Sequence, residues 1–322
     1  MASNMGKRIL VAAAALALAF EAAAQIFPAR PVRIIVPYAP GGTADVLSRE
    51  IAVKLTAAFN QQVIVENRAG AGGMIGAEAL AKSAPDGYTI GMLATPHVGT
   101  PFVMKLAFDP AKDLTPVTQV VNVPGLLSVH ASVAARNLDE LIALARSRPG
   151  QLSYGHPGSM SAGHLALELL KSRAKIDIVA VPYKGGGPAT VDLLSGQIQM
   201  MIAGPTAHLP HVKAGKLRAI ATTGLHRSSA LPDTPTIAES GLSGFELNEW
   251  YGYFAPARTP TSLIARLQEE VARALNTPEL RSRFASLGAE PVGSTPEQFG
   301  RFFQGESEKI GKLIADLHLK AE

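Results

Sequence analysis

Apolar and polar positions along the chain alternate between two periods. Val32, Ile34, Ile35 and Val36 form a short apolar run closed by Pro37-Tyr38, which predicts a buried strand. Leu47, Ile51, Leu55 and Phe59 then recur every four residues, one face of a helix that starts near Thr43. Residues 63–65 predict the next strand and 75–82 a short helix. The turn Pro85-Asp86-Gly87-Tyr88 leads into a third strand over 89–94. Strands linked by helices in this way imply a mostly parallel sheet with helices on both faces, so the turns after Tyr38, Asn67 and Ala94 belong on one edge. A polar, proline-punctuated stretch, 109–116, precedes a second unit. There Asn137 and Glu140 have the spacing of a capping box for a helix that runs to Arg148 and ends at Pro149-Gly150. Strands over 152–155, 178–183 and 199–203 alternate with a helix capped by Ser161, running to about Lys171, and another reaching Leu194. The last third is more helical. Thr259-Pro260, Thr277-Pro278 and Thr295-Pro296 each place a hydroxyl cap before a helix-opening proline, Thr295 and Gln298 complete a capping box, and these helices read as scaffold.

Two glycine turns interrupt this pattern where chemistry is expected. Pro40-Gly41-Gly42-Thr43-Ala44-Asp45 follows the first strand and Ala69-Gly70-Ala71-Gly72-Gly73-Met74-Ile75-Gly76 the second. A strand, a glycine turn and a helix bring backbone amides to a small anion at the positive end of the helix. The second turn is not a dinucleotide fingerprint, because its third glycine falls at Gly76 where the spacing demands position 75. Gly215-Lys216 is followed by Leu217, so there is no phosphate-binding P-loop. Ser159-Met160-Ser161-Ala162-Gly163-His164 lacks the glycine of a nucleophile elbow and reads as hydroxyls and amides at a helix start. His208 and His211 flank Pro210, which interrupts a helix there, and no third metal ligand accompanies them. Asp45 has two readings, a favourable charge at a helix N-terminus or a group that orients a ligand or water. Lys184, in the turn Lys184-Gly185-Gly186-Gly187-Pro188, is a ligand-facing cation or a solvated surface lysine. Tyr38 and Trp250 line a pocket or belong to the core and rim.

Composition places the chain. Hydrophobic residues are 47% and charged residues 17% of its 322 residues, and there is no cysteine, which removes disulfides, thiol catalysis and lipidated cysteine anchors. Lys7 and Arg8 precede an apolar run over 9–20, too short to span a bilayer, and Ala22-Ala23-Ala24 offers a cleavage site. Residues 1–24 read as a secretory signal peptide and the location as the periplasm. The net charge is +4; removing Lys7, Arg8 and Glu21 leaves 28 basic and 25 acidic residues, +3. That mild excess suits an anionic small ligand, and no basic run or aromatic-basic interleaving points to nucleic acid.

Together these segments resemble the Bug family, the extracytoplasmic substrate-binding proteins of tripartite tricarboxylate transporters. Val36-Pro37-Tyr38-Ala39-Pro40-Gly41-Gly42 with Asp45 resembles the family's opening. Val65-Glu66-Asn67-Arg68 with Gly70-Ala71-Gly72-Gly73 and Gly76 resembles its second signature, and Pro85-Asp86-Gly87-Tyr88-Thr89 its third. Gly163-His164-Leu165, Val181-Pro182-Tyr183-Lys184-Gly185, Gly215-Lys216-Leu217-Arg218-Ala219, Ala255-Pro256 and Thr259-Pro260 continue in order over essentially the whole mature chain.

The resemblance implies an α/β, two-lobed periplasmic-binding-protein fold of type II-like form, each lobe a mostly parallel sheet flanked by helices, with the ligand in the cleft between them. The lobes would be 27–124 plus 221–322 and 125–220. It implies a non-enzymatic protein without metal or cofactor that captures a small carboxylate, a di- or tricarboxylate or an aromatic acid. Closure would bring membrane permease subunits as partners of a monomer. Backbone amides and water at the first turn would hold a carboxylate, and 159–164 would close over it. The ligand residues carried over are Tyr38, Gly41, Gly42, Asp45, Thr95, Ser159, Ser161, His164, Tyr183 and Lys184. Gly204 stands where many relatives carry an acid, and Arg258 where a glycine is common. A serine-type periplasmic hydrolase using Ser161 and His164, and a ligand sensor docking on a kinase ectodomain, are the alternatives.

Overall fold

The computed structural model describes residues 27–320, and the signal peptide assigned to 1–24 lies outside them. β1 (Val32–Val36) leads through the Gly41-Gly42 turn into α1 (Thr43–Phe59), β2 (Val63–Asn67), α2 (Met74–Ala81), β3 (Thr89–Ala94), the single turn α3 (Pro96–Gly99) and β4 (Leu114–Val123). The chain then enters a second sheet with β5 (Leu126–His130), α4 (Leu138–Ser147), β6 (Ser153–His156), α5 (Ala162–Ala174), β7 (Val179–Pro182), α6 (Gly186–Ser195), β8 (Met200–Ala203), α7 (Pro205–Lys213) and β9 (Leu217–Thr222). It returns with β10 (Glu249–Pro256), α8 (Thr261–Leu275), α9 (Pro278–Ser286), β11 (Glu290–Pro291) and α10 (Pro296–Asp316). The stripe Leu47, Ile51, Leu55 and Phe59 is buried along α1, as its spacing requires.

The sheets have the orders β11-β4-β10-β3-β1-β2 and β7-β6-β8-β5-β9. β1 pairs in parallel with β2 and β3, and β6 with β7 and β8. β10 and β5 run against both of their neighbours. These reversed strands follow from the path of the chain. β4 and β9 each leave their sheet at its carboxyl edge, and the next strand enters the other sheet at that same edge, so it must run backwards. The two crossings lie side by side. The Thr223 amide donates to the Gly125 carbonyl (2.9 Å), and the Gly125 amide to Thr223 Oγ1 (2.8 Å), which donates in turn to Asn248 Oδ1 (2.8 Å). A methyl on Gly125 would lie 2.6 Å from Ile202 Cγ2, so only glycine fits this crossing.

One apolar cluster packs α1, α8 and α9 on the first sheet, and a small one packs α6 and α7 on the second. The largest is continuous between the two units, joining Val98 of α3 to Met160 of the second. Trp250 belongs to this core rather than to a pocket wall, edge-on to Phe299 and Phe302 at 5.8 Å. Thr277 and Thr295 cap α9 and α10. Thr259 does not cap α8: its hydroxyl donates to the Pro256 carbonyl (2.7 Å), and the helix opens after Pro260. Pro210 does not interrupt α7 but sits inside it, where it removes a single helical hydrogen bond.

Candidate functional site

Four of the helices that leave the carboxyl edges start in a particular way, whereas α5 is capped by Ser161. α1, α2, α6 and α7 have glycine at the N-cap (Gly42, Gly73, Gly185, Gly204) and no side-chain cap. Asn137, Thr277 and Thr295 cap α4, α9 and α10 with side-chain oxygens. In α1 the first intrahelical bond runs from the Val46 amide to the Gly42 carbonyl (3.0 Å), so the amides before it have no acceptor within the helix. Gly41 turns the chain with φ +83°, a conformation that favours glycine, while Gly42 at φ −75° is ordinary. Both are exposed.

Asp45 holds this turn in shape. Its carboxylate accepts from the Gly41 amide (2.9 Å), from Arg49 Nε (3.1 Å) and from Asn67 Nδ2 (2.9 Å), and a second Arg49 nitrogen lies 2.9 Å away. Burial works to raise its pKa, but the bonds from Arg49, Gly41 and Asn67 outweigh it and keep the carboxyl below its ordinary range. Asn67 also donates to the Tyr38 carbonyl (3.1 Å), tying the end of β2 to the end of β1. The second glycine turn is a packing device. A methyl on Gly76 would meet Pro37 Cα at 2.7 Å and the Arg68 carbonyl at 2.8 Å, and one on Gly73 would meet the His97 ring at 3.0 Å.

Behind the turn lies a polar cluster of which the sequence reading named Tyr38 and Thr95 but missed His97 and Glu249. Tyr38 lies edge-on to His97 at 6.0 Å, and its hydroxyl is buried with no hydrogen-bond partner among the described residues. Burial first, then Glu249 and Tyr251, push that hydroxyl's pKa well up. His97 is wholly buried, which pulls its pKa down to about 4. Thr95 is also wholly buried, and its amide donates to Glu249 Oε1 (3.1 Å). Burial pushes Glu249 up to about 7.

The second unit presents the loop before α5. Ser161 caps the helix by accepting from the His164 amide (3.4 Å). Gly163 has to be glycine, because a methyl there would sit 2.3 Å from the Ile202 carbonyl. Burial, aided by His156, pulls His164 down to about 4. Its Nδ1 accepts from the Met160 amide (3.3 Å), which places the proton of the neutral ring on Nε2 as a donor. Ser161 and His164 therefore form a helix cap rather than a nucleophile-base pair, since the base nitrogen would have to accept from the serine hydroxyl. Met160 is buried in a left-handed conformation (φ 62°), and a methyl on Gly99 would lie 3.1 Å from its Cβ.

Met160 of the Ser159–His164 loop packs against Gly99 of α3, the turn that follows Thr95, and Tyr38 lies against His97 of that same turn. Tyr183 and Lys184 are not tied to this group. Tyr183 donates its hydroxyl to Asp192 (2.7 Å), and Lys184 is exposed. Arg258 is exposed with φ 67°, which accounts for glycine suiting that position. A side chain at Gly204 would meet only Val123 Cγ1 at 3.7 Å, so the room left by the absent acid is real. His208 is wholly buried, and no group of three metal-ligating side chains occurs among the described residues.

Comparison with known proteins assigns this architecture. BugT of Bordetella pertussis is 37% identical over 306 residues, covering 94% of each chain. Among solved structures, R. palustris Rpa4515 with adipate is 36% identical with a TM-score of 0.86, covering 92% of this chain and 100% of that one. MatC of Rhodopseudomonas palustris with bound malate is 33% identical with a TM-score of 0.81, covering 89% of this chain and 100% of that one. Both share the two-sheet arrangement described above, and no helix among the described residues is long and apolar enough to cross a membrane. Residues 47–319 match the TctC family, described as the tripartite tricarboxylate transporter family receptor, and the chain belongs to that family.

Proposed function

We propose that this receptor captures a small carboxylate in the periplasm by closure of two lobes and delivers it to the permease subunits of a tripartite transporter. The observation that carries this reading is the uncapped start of α1 at the Gly41-Gly42 turn, and the neutral groups of the second lobe at Ser161 and His164 support it as the donors that would close over the ligand. One carboxylate group of the ligand sits on the α1 amides, where the helix dipole favours it. Thr95 and Tyr38 complete the first lobe's contacts. Ser159, Ser161 and His164 bind only when the lobes meet, and contacts present in one state alone shift the equilibrium toward it. Asp45 acts by holding Gly41 rather than by touching ligand. The lobes divide at Gly125 and just past Thr222, where the paired crossings form the hinge. No step requires bond making, and the protein works as a monomer without cofactor.

Titrating the mature protein with adipate, malate, citrate and benzoate, with glucose as control, tests the reading. Ligand that binds only the folded state raises the thermal midpoint by mass action. At least one carboxylate should raise it with no chemical change to the acid. A shift by glucose alone, or turnover of the acid, would overturn the proposal.

A further inference from the structure

The first lobe sets an acid beside a site for anions. Glu249 opens β10 where the chain has just crossed from the second lobe, opposite Val123 of β4. Its Oε1 accepts from the amides of Thr95 (3.1 Å) and Trp250 (3.3 Å). No cation pairs with Glu249 among the described residues. The groups that face it are Tyr38 from the end of β1, Tyr251 on its own strand, Thr95 from the end of β3, and Glu306 from α10. Glu306 is itself paired with Lys309. His97 lies behind Tyr38 and is neutral at any physiological pH.

An ionised Glu249 would therefore stand among hydroxyls and another carboxylate, close to where a ligand carboxylate binds. Two unpaired anions in one buried site repel strongly, and the usual resolution is that they share a proton. Tyr38 points to the same conclusion, for its buried hydroxyl is a donor with no protein acceptor. A neutral carboxyl beside it makes two O–H donors and no competing charge.

We propose that Glu249 enters the ligand site as a neutral carboxylic acid and donates its proton in a hydrogen bond to a ligand carboxylate, so that capture of the anion is coupled to one proton. The inference rests on the carboxylate reading given above. The proton stays on Glu249 or is shared with the ligand oxygen; no bond other than that O–H is involved. Where Glu249 is ionised beforehand, binding takes the proton from solvent.

The direction of the pH effect follows from burial, which lifts Glu249 to about 7 against the hydrogen bonds from Thr95 and Trp250, with Glu306 adding to the rise. The acid form dominates below that value and is lost above it. Adipate affinity should be nearly constant below pH 7 and fall roughly tenfold for each pH unit above it.

Calorimetric titration of the mature protein with adipate, malate and citrate from pH 6 to 9, in two buffers of different ionisation enthalpy, tests this. Near pH 8 the wild-type protein should take up close to one proton per ligand bound. Glu249→Gln keeps an oxygen for the Thr95 amide and carries a permanent donor, so its affinity should be flat across the range and its proton uptake zero. A flat wild-type profile, or a slope and proton uptake that survive in Glu249→Gln, overturns the inference while leaving carboxylate binding intact. No binding of any acid to either protein at any pH overturns the carboxylate reading and this inference with it.

Discussion

Asp45 shows how much one side chain can do without touching a ligand. Gly41, Arg49 and Asn67 all converge on its carboxylate. Replacing it with alanine strands the Gly41 amide and two side-chain donors, and should cost about 2 kcal/mol by chemical denaturation, allowing for the half-exposed Arg49. Because its folded pKa is depressed, its contribution is present above the unfolded value of about 3.9 and disappears as pH falls below it. Asp45→Asn should flatten that acid limb of the stability profile. The sequence left this residue between two readings because its partners are local in part only: Gly41 and Arg49 are four residues away, Asn67 twenty-two. Glu249 was invisible for the same reason in stronger form. Its partner Thr95 lies 154 residues earlier, and nothing in the run Asn248-Glu249-Trp250 announces a half-buried acid set among hydroxyls.

At the scale of elements, local signals carried far. The four-residue stripe of α1 and the caps at Asn137, Ser161, Thr277 and Thr295 all appear where the pattern put them. The reversed strands β5 and β10 were not legible, because strand direction depends on where the chain re-enters a sheet, and periodicity carries no such information. The contrast between capped and glycine-started helices yields an opposing pair of effects. Gly42 has the backbone of an N-cap, and a Cβ there meets only the Ala39 carbonyl at 3.6 Å. Gly42→Ser should fill the cap, raise the stability of the ligand-free protein by a few tenths of a kcal/mol, and weaken carboxylate binding measured by titration. Gly163→Ala acts through packing. A methyl 2.3 Å from the Ile202 carbonyl forces α5 away from β8, which should cost about 2 kcal/mol in thermal unfolding and displace the Ser161 and His164 donors together.

At the scale of the whole molecule, the two lobes meet through a residue held in a rare conformation. Met160 is buried, left-handed, and packed on Gly99 across the cleft. Trimming it to alanine removes an apolar contact made between lobes, so the closed form loses more than either lobe does. Met160→Ala should weaken carboxylate affinity about tenfold, equivalent to 1.4 kcal/mol, and small-angle scattering of the ligand-bound protein should show a larger radius of gyration. Unchanged affinity and size would mean that the contact does not contribute to closure.

The glycine start of α1 has a consequence for how such a protein changes over time. A peptide N–H is supplied by every amino acid except proline, so in the proposed reading the amides that meet negative charge persist through every substitution that leaves the backbone of the turn and its open helix start intact. Selection for a new acid can then act on the few side chains that measure length and protonation while the charge reader is inherited unaltered. BugT and this chain share 37% of their residues over 306, a divergence through which a reader built from backbone can be inherited while the side chains around it change.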